Sequence, residues 1–140
     1  TGEEIPTFPK YLKYVNLNGN QFGTKGIDLL TKGFNWNLPI EELHLSSNDI
    51  GHEGEIIISN ALKIKKTSPP KLRILSLKSN CIGPKGGFAI AEAIKSGNFP
   101  IEMRKIDLCA NGINMEGTNA IQEALQAEQT PPFLFVLIFR

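Results

Sequence analysis

The sequence predicts an α/β solenoid, a short curved arc with a parallel sheet on the concave side and helices on the convex side. Three observations carry that prediction. A glycine-rich turn opening on asparagine occurs four times: NQFGTKG from Asn20, NDIGHEG from Asn48, NCIGPKG from Asn80 and NGINMEG from Asn111, at spacings of 28, 32 and 31 residues. Each turn follows an apolar triplet of fixed spacing, and each precedes a run with helical periodicity. Self-similarity at such a period marks units that cannot bury their apolar faces alone and do so by stacking on their neighbours.

The elements follow in order within each unit. The triplets are Leu12, Val15 and Leu17; Ile40, Leu43 and Leu45; Leu72, Leu75 and Leu77; and Met103, Ile106 and Leu108. Side chains alternate along a strand, so the triplets face inward and the residues between them face the open concave side. Those outward residues are Tyr14, Asn16 and Asn18 on the first strand, Glu42, His44 and Ser46 on the second, Ile74, Ser76 and Lys78 on the third, and Lys105, Asp107 and Cys109 on the fourth. A strand buried on both faces would be apolar throughout; these are not, so one face meets water or a partner.

The turn glycines are expected to take backbone angles that residues with a Cβ resist. The fourth unit has Asn114 where the others have Gly23, Gly51 and Gly83, and asparagine is expected to hold the same left-handed backbone. Counting from Gly26, Gly54, Gly86 and Gly117, apolar or small residues fall at positions +3, +4, +7 and +8, one face of a helix. The first helix carries Gly33, Asn35 and Asn37 and is expected to be short or irregular. Pro39, Pro69 with Pro70, Gly97 with Pro100, and Pro131 with Pro132 mark the helix ends. One domain of 140 residues results, with units at about 11–38, 39–70, 71–101 and 102–131 and the start of a fifth strand at 133–139. The fifth strand reads FLFVLIFR: Phe133, Val136 and Ile138 are its expected inward positions, and Phe135, Leu137 and Phe139 its outward ones. An edge strand apolar on both faces invites pairing, so self-association through 133–140 is expected unless a further segment or partner covers it.

Composition excludes several classes. A formal net charge of +1 gives no drive toward nucleic acid or anionic membrane. No apolar run approaches the length of about 20 residues that spans a bilayer. Cys81 and Cys109 fit no metal-ligand or CxxC spacing, and free thiols in a reducing compartment, hence a cytoplasmic location, are expected. Neither metal nor cofactor is expected. LSLKSNCIGPKGGF at 75–88 has the look of a phosphate loop, but it is the third of four copies and lacks the GK[ST] ending.

The pattern LxxLxLxxNxIGxxG followed by an Ala/Leu/Ile helix resembles the leucine-rich repeats of the ribonuclease-inhibitor class, best in IEELHLSSNDIGHEG and LRILSLKSNCIGPKGG. The resemblance covers roughly residues 11–138. It is specific for fold and unspecific for function: such repeats occur in nuclease inhibitors, innate immune receptors of the NOD-like type, the activator of the nuclear-transport GTPase and secreted bacterial effectors. It implies a protein-binding module or scaffold that is not an enzyme and binds a protein on its concave face, with regulation of an enzyme by the same surface as the alternative. A nuclease inhibitor should carry an acidic concave face, whereas Glu42 and Asp107 are balanced by Lys78 and Lys105.

Individual residues fit that reading. The asparagines Asn20, Asn48, Asn80 and Asn111 are expected to form a structural ladder pairing with backbone groups left free at strand ends. His44 beside Glu42 lacks a nucleophile constellation, so no catalytic residue is assigned. Cys109 reads as a small filler, and the lysines of KIKKTSPPK as cations at a helix C-terminus. Tyr14, His44 and Lys78 are the expected hot spots for a partner.

Overall fold

The computed structural model describes residues 11–34, 39–63 and 71–139. In chain order they form β1 (Tyr14–Asn16), α1 (Gly23–Phe34), β2 (Glu42–His44), α2 (Gly51–Lys63), β3 (Ile74–Ser76), α3 (Gly83–Lys95), β4 (Lys105–Asp107), α4 (Met115–Leu125) and β5 (Phe135–Leu137). The strands lie in sequence order in one parallel sheet, and each helix packs on the next. The register is a straight row across the sheet: Val15, Leu43, Leu75, Ile106 and Val136 are partners. Parallel strands need a crossover between them, and the helices supply it. Between sheet and helices lies the core, with Leu43, Leu75, Ile106, Ile58, Ile90 and Ile121 all buried.

Each turn is built by alternation of the backbone. In the second and third units Ser47, Asp49 and Gly51, then Ser79, Cys81 and Gly83, all have positive φ, and Gly19, Gln21 and Gly23 repeat this in the first. The last of each trio donates its N–H to the asparagine carbonyl of the next unit: Gly23 to Asn48 at 2.9 Å, Gly51 to Asn80 at 2.8 Å, Gly83 to Asn111 at 2.8 Å. The fourth unit departs from the expectation. Ala110 and Gly112 have positive φ, but Asn114 does not; its φ is −78°. No further asparagine carbonyl follows among the described residues. Asn114 instead extends and caps α4, its Oδ1 accepting from the Gly117 N–H at 2.9 Å, and α4 has 11 residues where α2 and α3 have 13.

The second glycine of each turn serves space rather than angle. A Cβ at Gly86 would stand 2.1 Å from Ile82 Cγ2, and one at Gly54 would stand 2.5 Å from Ile50 Cγ2. These isoleucines are fully buried, so the glycines let them pass beneath the first helical turn.

The asparagine ladder runs through the buried side of the turns. Asn80 Oδ1 accepts from the Asn48 N–H at 2.8 Å, while Asn80 Nδ2 donates to Leu45 O at 2.8 Å and Leu77 O at 2.9 Å. Asn48 and Asn111 repeat the pattern, each bonding to a carbonyl of its own turn and to one of the preceding turn. Asn20 is exposed, because no unit precedes it among the described residues; its Nδ2 finds only Leu17 O and Asn18 O within its own turn. Beyond Asn111 the ladder opens into a cavity of about 600 Å³ lined by Leu108, Asn111, Ile113, Thr118 and Ile138.

Three further expectations need correction. α1 runs 12 regular residues through Phe34, one fewer than α2; Asn35 and Asn37 lie outside the described residues. Leu29, at position +3 of its helix, is exposed. Phe133 is not an inward residue of the fifth strand: it is 71% exposed, and Leu134 packs on the core instead. The cause is the prolines. Pro131 is buried, and its carbonyl accepts from the Leu134 N–H at 3.2 Å, so a tight turn displaces the chain by one residue before β5 begins at Phe135.

Candidate binding surface

The outward residues form three rows across the sheet. The first is Tyr14, Glu42, Ile74, Lys105 and Phe135; the second is Asn16, His44, Ser76, Asp107 and Leu137. The third, just past the strands, holds Asn18, Ser46, Lys78 and Cys109. Backbone hydrogen bonds continue there, with Leu45 N–H donating to Ser76 O and Ser47 N–H to Lys78 O. The display is therefore rigid beneath its side chains.

Several predicted site residues turn out to be engaged with one another. The Tyr14 and His44 rings lie 5.0 Å apart and tilted by 42°, an aromatic pair at the edge of the sheet. His44 Nε2 stands 3.4 Å from Glu42 Oε2, a loose contact. Ser46 Oγ meets Ser76 Oγ at 2.9 Å and so is turned from His44 toward the next strand. Asn18 cross-links strands through its Oδ1, which accepts from the Ser46 N–H at 2.7 Å, and Asn16 Oδ1 accepts from the Asn18 N–H at 3.0 Å. Lys78 is exposed, while Ile74, Lys105, Asp107 and Cys109 are half-buried. Burial pushes the Cys109 thiol above its usual range, and the Asp107 carboxylate adds to this, so its thiolate is suppressed. Cys81 and Cys109 form no disulfide. The lysine run falls partly outside the described residues; Lys71 is exposed.

At the start of the strands lies a row that the alternation argument leaves out. Lys13, Glu41, Arg73 and Arg104 precede β1 to β4 in turn, and their carbonyls step the sheet together: Arg73 and Ile74 N–H both donate to Glu41 O, Arg104 and Lys105 N–H both donate to Arg73 O. Glu41 is shared, at 3.5 Å from Lys13 Nζ and 3.9 Å from Arg73 Nη1. The signal in the sequence is the residue immediately before each strand, which the register carries from unit to unit.

Among the described residues no group of three or more His, Cys, Asp or Glu side chains is placed to hold a metal ion, and no helix is long and apolar enough to cross a membrane.

A family model described as Leucine Rich repeat matches residues 9–30, 37–54 and 68–91. No curated protein matches the chain. Among solved structures, Leiomodin-1 Actin-Binding Site 2 (ABS2) is similar with a TM-score of 0.75 at 19% identity, over 94% of this chain and 72% of that one. The match at that identity is one of fold. Leucine-rich repeats are thus present in the sequence, and five parallel strands alternating with four helices make the chain a leucine-rich repeat solenoid.

Proposed function

We propose that this chain is a protein-interaction module that binds a protein partner on its concave sheet face and carries no chemistry of its own. The observation that carries the reading is the hydrogen-bonded sheet whose outward rows on β1 to β4 are polar, aromatic and charged apart from Ile74, while its inward row is wholly apolar. A scaffold this rigid loses little conformational entropy on binding, so modest contacts suffice. Tyr14, His44 and Lys78 are the anchors we favour. The similar solved domain is named as an actin-binding site, a precedent for such a scaffold used in binding. Full helices and units of 28–32 residues support the ribonuclease-inhibitor-like class of repeat. Two thiols free of a disulfide support a cytoplasmic setting.

Affinity capture with mass spectrometry identifies the partner, and charge reversal tests the face. Glu42→Lys and Lys78→Glu should each change stability by no more than about 0.5 kcal/mol and weaken the captured partner. If Lys95→Glu on the convex side weakens it more, the concave face is not the binding surface.

The fifth strand adds a second expectation. Phe135 is 50% and Phe139 68% exposed on a sheet edge that has no further strand among the described residues. Light scattering should show dimers or larger species. Phe135→Ser with Leu137→Asn and Phe139→Lys should return a monomer, because Val136 and Ile138 keep their core contacts. A monodisperse unmutated monomer would show that these residues do not drive association.

A further inference from the structure

We propose that the cleft at the start of β2 to β5 receives an extended segment of the partner in which a carboxylate side chain stands next to a large apolar one. The proposal rests on the concave-face reading and extends it to an edge of the sheet, with the partner's chemistry specified.

The cleft is lined by Glu41, Glu42, Arg73, Ile74, Arg104, Lys105 and Phe135 and has a volume of about 230 Å³. Drug-sized ligands occupy roughly 300–1,000 Å³, so the space suits a side chain or two rather than a small molecule. Its charges do not cancel. Glu41 is already shared between Lys13 and Arg73, and Glu42 turns to His44. Among the described residues neither Arg104 nor Lys105 has a carboxylate within ion-pair distance, though they are adjacent in the chain and their N–H groups share the Arg73 carbonyl.

Arg104 is exposed beside an aromatic ring. Its guanidinium carbon lies 5.5 Å from the centre of the Phe133 ring. A guanidinium over a ring face is held by the attraction of the cation to the ring, and its N–H groups have no carboxylate among the described residues and can take one by two parallel hydrogen bonds. The displaced turn at Pro131 puts Phe133 in this place. Beside the cations, Ile74 is half-buried and Phe135 half-exposed, which gives an apolar wall within one strand spacing of the charges. A polyanion such as nucleic acid is poorly suited. It needs a longer track of cations, and here it would meet Glu41, Glu42 and an apolar wall.

The test uses the full 140-residue chain and three fluorescein-labelled hexapeptides in which serine places the contact side chains on one face of an extended strand: Ser-Glu-Ser-Phe-Ser-Glu, Ser-Gln-Ser-Phe-Ser-Gln and Ser-Glu-Ser-Ser-Ser-Glu. Fluorescence anisotropy should show the first binding best, with affinity falling as salt rises. Both controls should bind at least about tenfold more weakly, as should the first peptide to a chain carrying Arg104→Glu and Lys105→Glu. Circular dichroism and denaturant melts of that variant confirm that it folds. The milder Arg104→Gln, which removes the charge alone, should fall between. Equal binding of the glutamine peptide, or an unchanged affinity of the double variant, overturns the proposal. So does failure of the first peptide to bind better than its controls. A Ser76→Trp chain separates the two readings. If it blocks the captured partner while Arg104→Glu with Lys105→Glu does not, the concave face stands and the cleft falls. If neither affects the partner, both fall.

Discussion

Asn80→Ala should destabilise the protein by about 3–5 kcal/mol, at the severe end for a single substitution. The amide is fully buried and holds three backbone groups at good distance, from Asn48, Leu45 and Leu77. Each buried group left without a partner costs about 1–3 kcal/mol, and alanine supplies none. Asn20→Ala is the internal control. That side chain is exposed and its Nδ2 bonds only within its own turn, so its loss should cost less than about 1 kcal/mol. Denaturant melts of the two variants give the comparison. Equal losses, or a neutral Asn80→Ala, would mean that the ladder contributes through something other than burial of its bonds.

The second large effect is a pH dependence set by Glu55. The side chain is buried in α2, with its Cβ against Gly86 of α3. Ser59 Oγ donates to its Oε1 at 2.7 Å, but Oε2 has no partner among the described residues. Burial raises its pKa from 4.5 to about 8, and the bond from Ser59 offsets only part of that. Below pH 4.5 the carboxyl is protonated in both folded and unfolded chains, and the group costs nothing differential. Between 4.5 and about 8 the unfolded chain has released the proton and the folded one retains it, so stability declines as pH rises. Glu55→Gln removes the titration. It should leave stability near wild type at pH 4.5 and raise it by a few kcal/mol, at most about 5, above pH 8. Urea melts at the two pH values test this, and a difference independent of pH would show that the carboxyl is not neutral in the fold.

Glu55 also shows where reading by pattern falls short. The apolar stripe at +3, +4, +7 and +8 is legible because leucine, isoleucine and alanine recur there. Position +1 lies on the same stripe: it holds Ile27 in α1 and Gly87 in α3, both buried, and Glu55 in α2. Its charge in the sequence suggests solvent, and only the close approach of α2 and α3 at Gly86 shows otherwise. The ladder positions were legible because the turn must pair its backbone wherever it recurs. What Asn114 would do was not, since a left-handed glycine in this turn depends on a carbonyl from the next unit, and no local sequence records that neighbour. Phe133 failed for a related reason: the triplet spacing continues by eye through FLFVLIFR, while Pro131 resets the chain before it. The outward rows followed from alternation alone. Arg73 and Arg104 escaped it because they precede the strands, and their exposure comes from the shared carbonyl that holds each strand start.

The hydrogen bonds of the turns give the stack a symmetry rule. Through the turns the backbone N–H groups of one unit point to acceptors of the next: Leu17 to His44, Gly19 to Ser46, Asn20 to Asn48 Oδ1, and so on to Ala110 and Phe139. Among the described residues the Asn111 N–H has no acceptor after the last of these, and at the other end Asn20 Oδ1 has no donor. In these backbone bonds one end of the turns thus presents donors and the other acceptors, while the asparagine Nδ2 groups donate the opposite way. A two-fold dimer joined at β5 would set these backbone donors against each other, so its strands and exposed phenylalanines would have to form the isologous contact. Satisfying the turns as well requires a heterologous one, in which the acceptor end of one molecule meets the donor end of another. The ladder that stabilises each chain therefore decides which assembly symmetries its ends can complete.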